Sequence, residues 1–255
     1  MNEKLNVLSL REQVYQYLRE QMHSARFLPG STINIGEIAK RLGISKTPLR
    51  DALIQLEVEG FVSILPRRGV LVNELSLQDV KNAYAIAGAL EASVIMDCFH
   101  LISPAHIAEM QALNERMLAD IESGDFSHYY ESNLAFHNVY LELSDNEALQ
   151  RLLLPLKQRL YDFPRKSYIR EWELRNCKEH EQFIEMIKTG QRMEAANLMK
   201  DVHWSYHVQK EYIRAFHLLA TEEIAVERST RLKAKEEPFP ASLMAAEEGP
   251  VFARP

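Results

Sequence analysis

Two sets of side chains in this sequence have types and spacings that suit chemistry. The first is basic. Ser45, Lys46, Thr47 and Arg50 fall within ISKTPLRDAL, and Arg67, Arg68 and Gly69 fall within LPRRGVLV. Hydroxyl, ammonium and guanidinium groups are the donors that contact phosphate oxygens and base edges, and a long arginine can grip guanine through two hydrogen bonds. The second set is rich in imidazole. Asn133 and His137 lie four apart in ESNLAFHNVYLE, His180 lies in KEHEQFIEMIKTG, and His203 lies in NLMKDVHWSYH. Imidazoles joined by one oxygen ligand suit Zn2+, Ni2+ or another first-row divalent ion. By spacing alone, histidines this far apart read equally as separate structural or exposed side chains. His23, His100, His106, His128 and His217 are read that way.

The basic set needs a helix pair to present it. Residues 35–42 (IGEIAKRL) read as a short helix stopped at Gly43, where glycine tolerates the positive φ of a tight turn. Lys46 to Glu59 places Leu49, Ala52, Leu53 and Leu56 on one stripe, closed by Gly60. Ser45 stands where it can N-cap that second helix, and Pro48 sits in its first turn. FVSILPRRGVLV then reads as two short strands around a tight turn, a wing with Arg67 and Arg68 at its tip. An earlier helical pattern covers 8–24 and ends at Pro29-Gly30.

The imidazole set needs a bundle. Beyond Ser76, which resembles a capping box with Asp79, strand signals stop. Helical stretches are expected over 77–99, 104–122, 126–143, 146–170, 172–188 and 191–219, with Pro155 and Pro164 kinking or splitting the fourth. Three such helices can each project one ligand into a bundle centre. His207, one turn after His203, and Tyr206 fall near enough on that pattern to line a cavity. Residues 223–255, with four prolines among Ala, Glu, Ser and Lys, read as a mobile tail. The expected organisation is therefore a mainly α chain. A winged helix-turn-helix of three helices and a small β-hairpin spans 1–73, an all-helical bundle spans 76–222, and the tail follows.

Composition narrows the function classes. The chain has 255 residues, 46% of them hydrophobic, and a net charge of −6. That balance argues mildly against nucleic acid, but the charge is unevenly placed. Residues 1–72 carry ten Lys/Arg against seven Asp/Glu, while the remainder carries twenty against twenty-nine. A basic head on an acidic body suggests a division of labour. No apolar run approaches the roughly 20 residues of a membrane helix, and the N-terminus does not read as a signal peptide. Two cysteines, Cys98 and Cys177, make no disulfide framework, so both are expected as free thiols in a reducing cytoplasm.

The stretch from LREQVYQYLREQM through LPGSTINIGEIAKRLGISKTPLRDALIQLEVEGFVSILPRRGVLV resembles the GntR family of bacterial winged-helix regulators. The resemblance implies DNA-contacting places for Ser45, Lys46, Thr47, Arg50, Arg68 and Gly69. Lys46 stands where arginine is commoner, and Gly36 where some members carry arginine. The helical part is similar to FCD effector domains, through NLAFH at 133–137, EHEQFIEMIKTGQRMEAA at 179–196 and ANLMKDVH at 196–203. This implies a divalent metal, Zn2+ or Ni2+, held by Asn133, His137, His180 and His203. Asn133 is neutral where many members have aspartate, and Ala87 stands where an arginine often precedes Glu91 by four residues. Glu91 is expected either as a cavity-lining residue or as a partly buried structural acid.

What the resemblance implies is a cytoplasmic, homodimeric, ligand-responsive regulator. It is expected to repress, to bind palindromic double-stranded DNA, and to sense a small carboxylate through the metal. Two other readings stay open. One is a regulator that senses metal alone. The other is a helical-bundle metalloenzyme, against which the sequence offers no HExxH and no general base beside the ligands.

Overall fold

In a computed structural model, residues 8–24, 26–161 and 168–236 are described. The chain is mainly α, with one small antiparallel sheet. It divides into two compact units. The first contains the residues up to Glu74 together with the last helix from Ala220 onward. The second contains Leu75–Tyr161 and continues to Leu219.

In the first unit, α1 (Leu10–His23) begins after Ser9, whose hydroxyl accepts from the Glu12 amide while the Glu12 carboxylate accepts from the Ser9 amide. That reciprocal cap starts the helix two residues later than the apolar pattern implies. β1 (Thr32–Ile33) precedes α2 (Ile35–Leu42), which is capped by Asn34 accepting from the amides of Gly36 and Glu37. Gly43 closes α2 at φ 65°, the left-handed conformation expected of it. α3 (Lys46–Val58) follows, with Leu49, Ala52, Leu53 and Leu56 fully buried against Val14 and Leu18 of α1. β2 (Val62–Leu65) and β3 (Gly69–Val72) form the wing, and β1 joins β3 to give the order β1-β3-β2. The third strand is too short for a sequence pattern to reveal; it pairs Thr32 with Leu71 and Ile33 with Val70.

The second unit contains helices and connecting turns, with no strand among its described residues. Its elements are α4 (Leu77–Cys98), α5 (Pro104–Ser123), α6 (Phe126–Leu141), α7 (Glu147–Tyr161), α8 (Arg170–Lys188) and α9 (Arg192–Leu198). Ser76 and Asp79 make the expected capping box on α4. Two of the expected stretches differ. α7 runs through Pro155 without breaking, and Pro164 lies outside the described residues. The expected helix over 191–219 is interrupted by a π turn at Met199–His203, after which α10 (Tyr206–Glu236) starts afresh. α10 also corrects the expected tail, since residues 223–236 continue the helix. The prolines on which the tail reading rested begin at Pro238, and residues 237–255 lie outside the described residues.

Within α4 and the 3-10 turn after it (Leu77–Leu101), an 18-residue window has a mean hydropathy of 1.2, enough by length and composition alone to cross a membrane. Charged residues such as Glu91 interrupt it, which is why no unbroken run is visible in the sequence. In the fold, Glu91 is fully buried among hydrogen-bond partners from three other elements.

Candidate metal centre and nucleic-acid interface

Three histidines from three elements meet in the second unit. His137 comes from α6, His180 from α8 and His203 from the π turn. All three are buried, and one ligand nitrogen from each lies within 4.8 Å of the other two. A π turn widens the helix by one residue and re-aims the side chains around it, and here it carries His203 into the group.

Each imidazole is oriented through Nδ1. His137 Nδ1 lies 2.9 Å from Glu91 Oε2, and His203 Nδ1 lies 3.0 Å from Glu179 Oε2. His180 Nδ1 lies 3.3 Å from Asn114 Oδ1. The Asn114 amide nitrogen donates to the Cys177 carbonyl, which leaves its oxygen to accept. Three acceptors therefore hold protons on the three Nδ1 atoms and direct the Nε2 lone pairs elsewhere. Phe136 stacks on His180 with ring centroids 4.0 Å apart, which fixes that ring further.

The Nε2 atoms of His137 and His180 are buried and accept no hydrogen bond from the protein. Leaving a buried acceptor unsatisfied costs roughly 1–3 kcal/mol, and two side by side are the donor pattern of a cation site. The same burial keeps the rings neutral, as metal ligation requires. It pushes His137 down to about 3, against the opposing pull of Glu91, and holds His180 well below the usual histidine range. Neutral imidazoles oriented by carboxylate or amide oxygens are what a first-row divalent ion uses. Asn133, one turn before His137 on α6, is also buried.

Glu91 is more than the half-buried acid or cavity wall that the sequence suggested. Its Oε2 accepts from His137 Nδ1, from the Tyr140 hydroxyl and from Trp204 Nε1, and its Oε1 accepts from Lys157 Nζ at 2.8 Å. Burial alone would raise its carboxyl, but the Lys157 ammonium and the hydrogen bond from the neutral His137 ring hold it well below the usual carboxylate range. Lys157 is itself buried, 1% exposed. Sequence reasoning missed it, although a signal exists. Leu149, Leu153, Lys157 and Leu160 share the buried stripe of α7, so a lysine occupies a place where the helical period demands an apolar residue. A cavity of about 490 Å3 lies along α6 and α7, with Asn138, Leu141, Gln150, Leu153 and Lys157 among its lining. Glu179 was also missed. It accepts from His203, Arg175 and Gln209, and its carboxyl is lowered because these donors outweigh burial.

Either His207 or Tyr206 is expected to line the cavity, and exposure sets the two apart. His207 is exposed and Tyr206 half-buried, with the Lys81 ammonium 6.0 Å from the Tyr206 ring centre. Spacing of one turn from His203 implied a common face, but the π turn and the break before Tyr206 end that register.

In the first unit, Ser45, Lys46, Thr47 and Arg50 are all exposed at the start of α3, and Arg67 and Arg68 are exposed at the wing tip. Gly69 has φ 96°, and a Cβ there would meet the Ile33 carbonyl oxygen at 3.2 Å. Arg67 also has positive φ, 63°, an uncommon conformation for a residue with a side chain. Ser45 occupies the N-cap position of α3 but makes no capping bond, contrary to expectation. Pro48, at the third helical position, removes one of the two amides that an N-cap hydroxyl can reach, leaving that of Thr47. The far end of α3 is tied to the wing, because the Ile64 amide donates to Glu57 Oε1 at 2.6 Å.

Comparison with known proteins agrees with both units. Residues 10–72 match the profile of the bacterial regulatory proteins of the gntR family, and residues 82–203 match that of the FCD domain. The HTH-type transcriptional repressor RspR of Escherichia coli is 28% identical over 137 residues, 53% of this chain and 60% of that protein. The chain thus spans under two thirds of the length of that curated relative. The E. coli regulator McbR is 26% identical over 157 residues, 62% of this chain and 71% of its own. The solved structure of E. coli McbR/YncC has a TM-score of 0.61 at 20% identity, covering 83% of this chain and 99% of that one, a likeness of fold.

Proposed function

This chain belongs to the GntR family of bacterial regulatory proteins and carries an FCD domain, and from that premise we propose that it is a cytoplasmic, homodimeric transcriptional repressor controlled by a small carboxylate bound at a divalent metal. Two copies would set two α3 helices into successive major grooves of a palindromic site, since dimer symmetry and operator symmetry go together. Ser45, Lys46, Thr47 and Arg50 read bases and phosphates there, while Arg67, Arg68 and Gly69 carry the wing.

The observation that carries the sensing half is the pair of buried Nε2 atoms on His137 and His180 beside His203. Zn2+ or Ni2+ fits three imidazoles, with Asn133 as the oxygen ligand. A bound ion supplies Lewis acidity toward a carboxylate at a position the protein leaves open. The chain's own part is to hold the three rings in the correct tautomer and to keep them buried. The carboxylates nearest the rings, Glu91 and Glu179, are engaged at Nδ1. That leaves neither as a general base, and disfavours the metalloenzyme reading.

The test is a titration of full-length protein against DNA fragments selected from the source genome by the protein itself. It is run with metal, with chelator, and with a panel of small carboxylates in each condition. The proposal expects a carboxylate to shift DNA affinity only when metal is present. Metal alone setting the affinity would favour the metal-sensing reading, and no selected DNA at all would overturn the regulator.

A further inference from the structure

We infer that Lys157 is a positioning residue for His137, acting from α7 through Glu91 to set the metal affinity of the three-histidine centre. The inference rests on the metal reading above.

The geometry is a short relay. Lys157 Nζ lies 2.8 Å from Glu91 Oε1, and Glu91 Oε2 lies 2.9 Å from His137 Nδ1. Glu91 and His137 are fully buried and Lys157 is 1% exposed. The Glu91 carboxylate can turn about its last torsion, which is broad for an sp2 terminus. Lys157 holds one oxygen and thereby leaves the other facing three donors at once: His137 Nδ1, the Tyr140 hydroxyl and Trp204 Nε1. Trp204 directly follows His203, so the same oxygen also secures the end of the π turn. Without the ammonium, the carboxylate loses the cation on its Oε1 side, and the hydrogen bond from His137 Nδ1 to Oε2 loosens, leaving the ring to the Tyr140 hydroxyl 2.8 Å from the same Nδ1.

A purely structural role for Lys157 predicts something else. A buried lysine beside a buried glutamate can be no more than a counter-ion, whose loss lowers stability and nothing further. The two roles separate in metal binding. Partners of a ligating histidine typically change metal affinity by 10–100-fold when removed, whereas a counter-ion with no orienting role leaves the metal's affinity and spectrum alone.

The experiment uses the full chain, stripped of metal, as wild type, Lys157→Met, Lys157→Arg and Glu91→Gln. Zn2+ affinity is measured by competition with a chromophoric chelator, and Co2+ is added as a spectroscopic probe of ligand geometry. Lys157→Met and Glu91→Gln are expected to weaken Zn2+ binding by about 10–100-fold and to alter the visible Co2+ bands. Lys157→Arg, which keeps a cation near Glu91, is expected to recover most of the affinity. Unchanged Zn2+ affinity and Co2+ bands in Lys157→Met, even with a lower melting temperature, would overturn the inference and leave the metal site standing. If Lys157→Met does not fold, the other two variants decide: Glu91→Gln at wild-type affinity, or Lys157→Arg as weak as Glu91→Gln, overturns it. A wild-type chain that takes up neither ion removes the metal reading itself, and the inference with it.

Discussion

Gly88 and Trp204 approach each other at backbone distance. A Cβ built on Gly88 would stand 3.0 Å from the Trp204 Cβ and 3.2 Å from the Lys200 carbonyl oxygen. α4 therefore lies directly on the π turn that carries His203, and only glycine leaves room. Gly88→Val is expected to destabilise the protein by about 1–3 kcal/mol, the usual range for overpacking a core contact. It should lower the urea midpoint and change the emission of Trp204. A midpoint equal to wild type would mean that the two elements separate without cost.

Arg50 is exposed on α3, whereas Leu49, Ala52 and Leu53 beside it form the core. Arg50→Ala should therefore leave thermal stability unchanged and weaken specific DNA binding by ~1–3 kcal/mol, the worth of one bidentate base contact. Fluorescence anisotropy at one fixed salt concentration checks this. Wild-type affinity in the variant would remove Arg50 from the reading set.

Metal-free protein should lose stability as the pH falls. The His137 pKa is about 3 in the folded chain, against 6.5 unperturbed, and His180 is also well below 6.5. Between those limits the unfolded chain binds more protons than the folded one, so the free energy of unfolding rises with pH. The contribution is fully present above about pH 6.5 and is lost as pH descends toward the folded values. Each unmatched proton is worth about 1.4 kcal/mol per pH unit. Urea midpoints between pH 7.5 and 5 should fall steeply in wild type and less steeply in His137→Phe. Equal slopes in the two proteins would contradict the assignment.

Asn133 offers a neutral amide oxygen on the same buried face of α6 as His137. If it ligates the ion, Asn133→Asp supplies a formal charge and should tighten Zn2+ binding, while Asn133→Ala should loosen it. Isothermal titration of both variants reads the change. Wild-type affinity in both would place Asn133 outside the ligand set.

The helix pair of the first unit was legible because its signals are local. Gly43 takes the positive φ that its position demands, and the stripe from Leu49 to Leu56 is the buried face of α3. The Ser45 cap was misread for a local reason as well. Pro48 removes one of the two amides within the hydroxyl's reach, and that is visible in the sequence once helix positions are counted from Lys46. In the second unit, the sequence determined the number of helical stretches approximately, but their continuity less well. The π turn at Met199–His203 packs against α4 at Gly88, a contact that no run of residues announces.

The sequence by itself determined that a basic helix-turn-helix with a wing precedes an acidic helical body, because charge and periodicity are properties of the chain. It named His137, His180 and His203 as chemically suited to one ion, but it could not say that they meet. Tertiary structure alone decided that these rings converge within 4.8 Å. It also decided that Glu91, Asn114 and Glu179 accept hydrogen bonds from their Nδ1 atoms, and that a lysine 66 residues from Glu91 is buried against it. The physical reason is common to all of these. Metal ligation and buried ion pairing depend on distance through space and on exclusion of water, and separation along the chain reports neither.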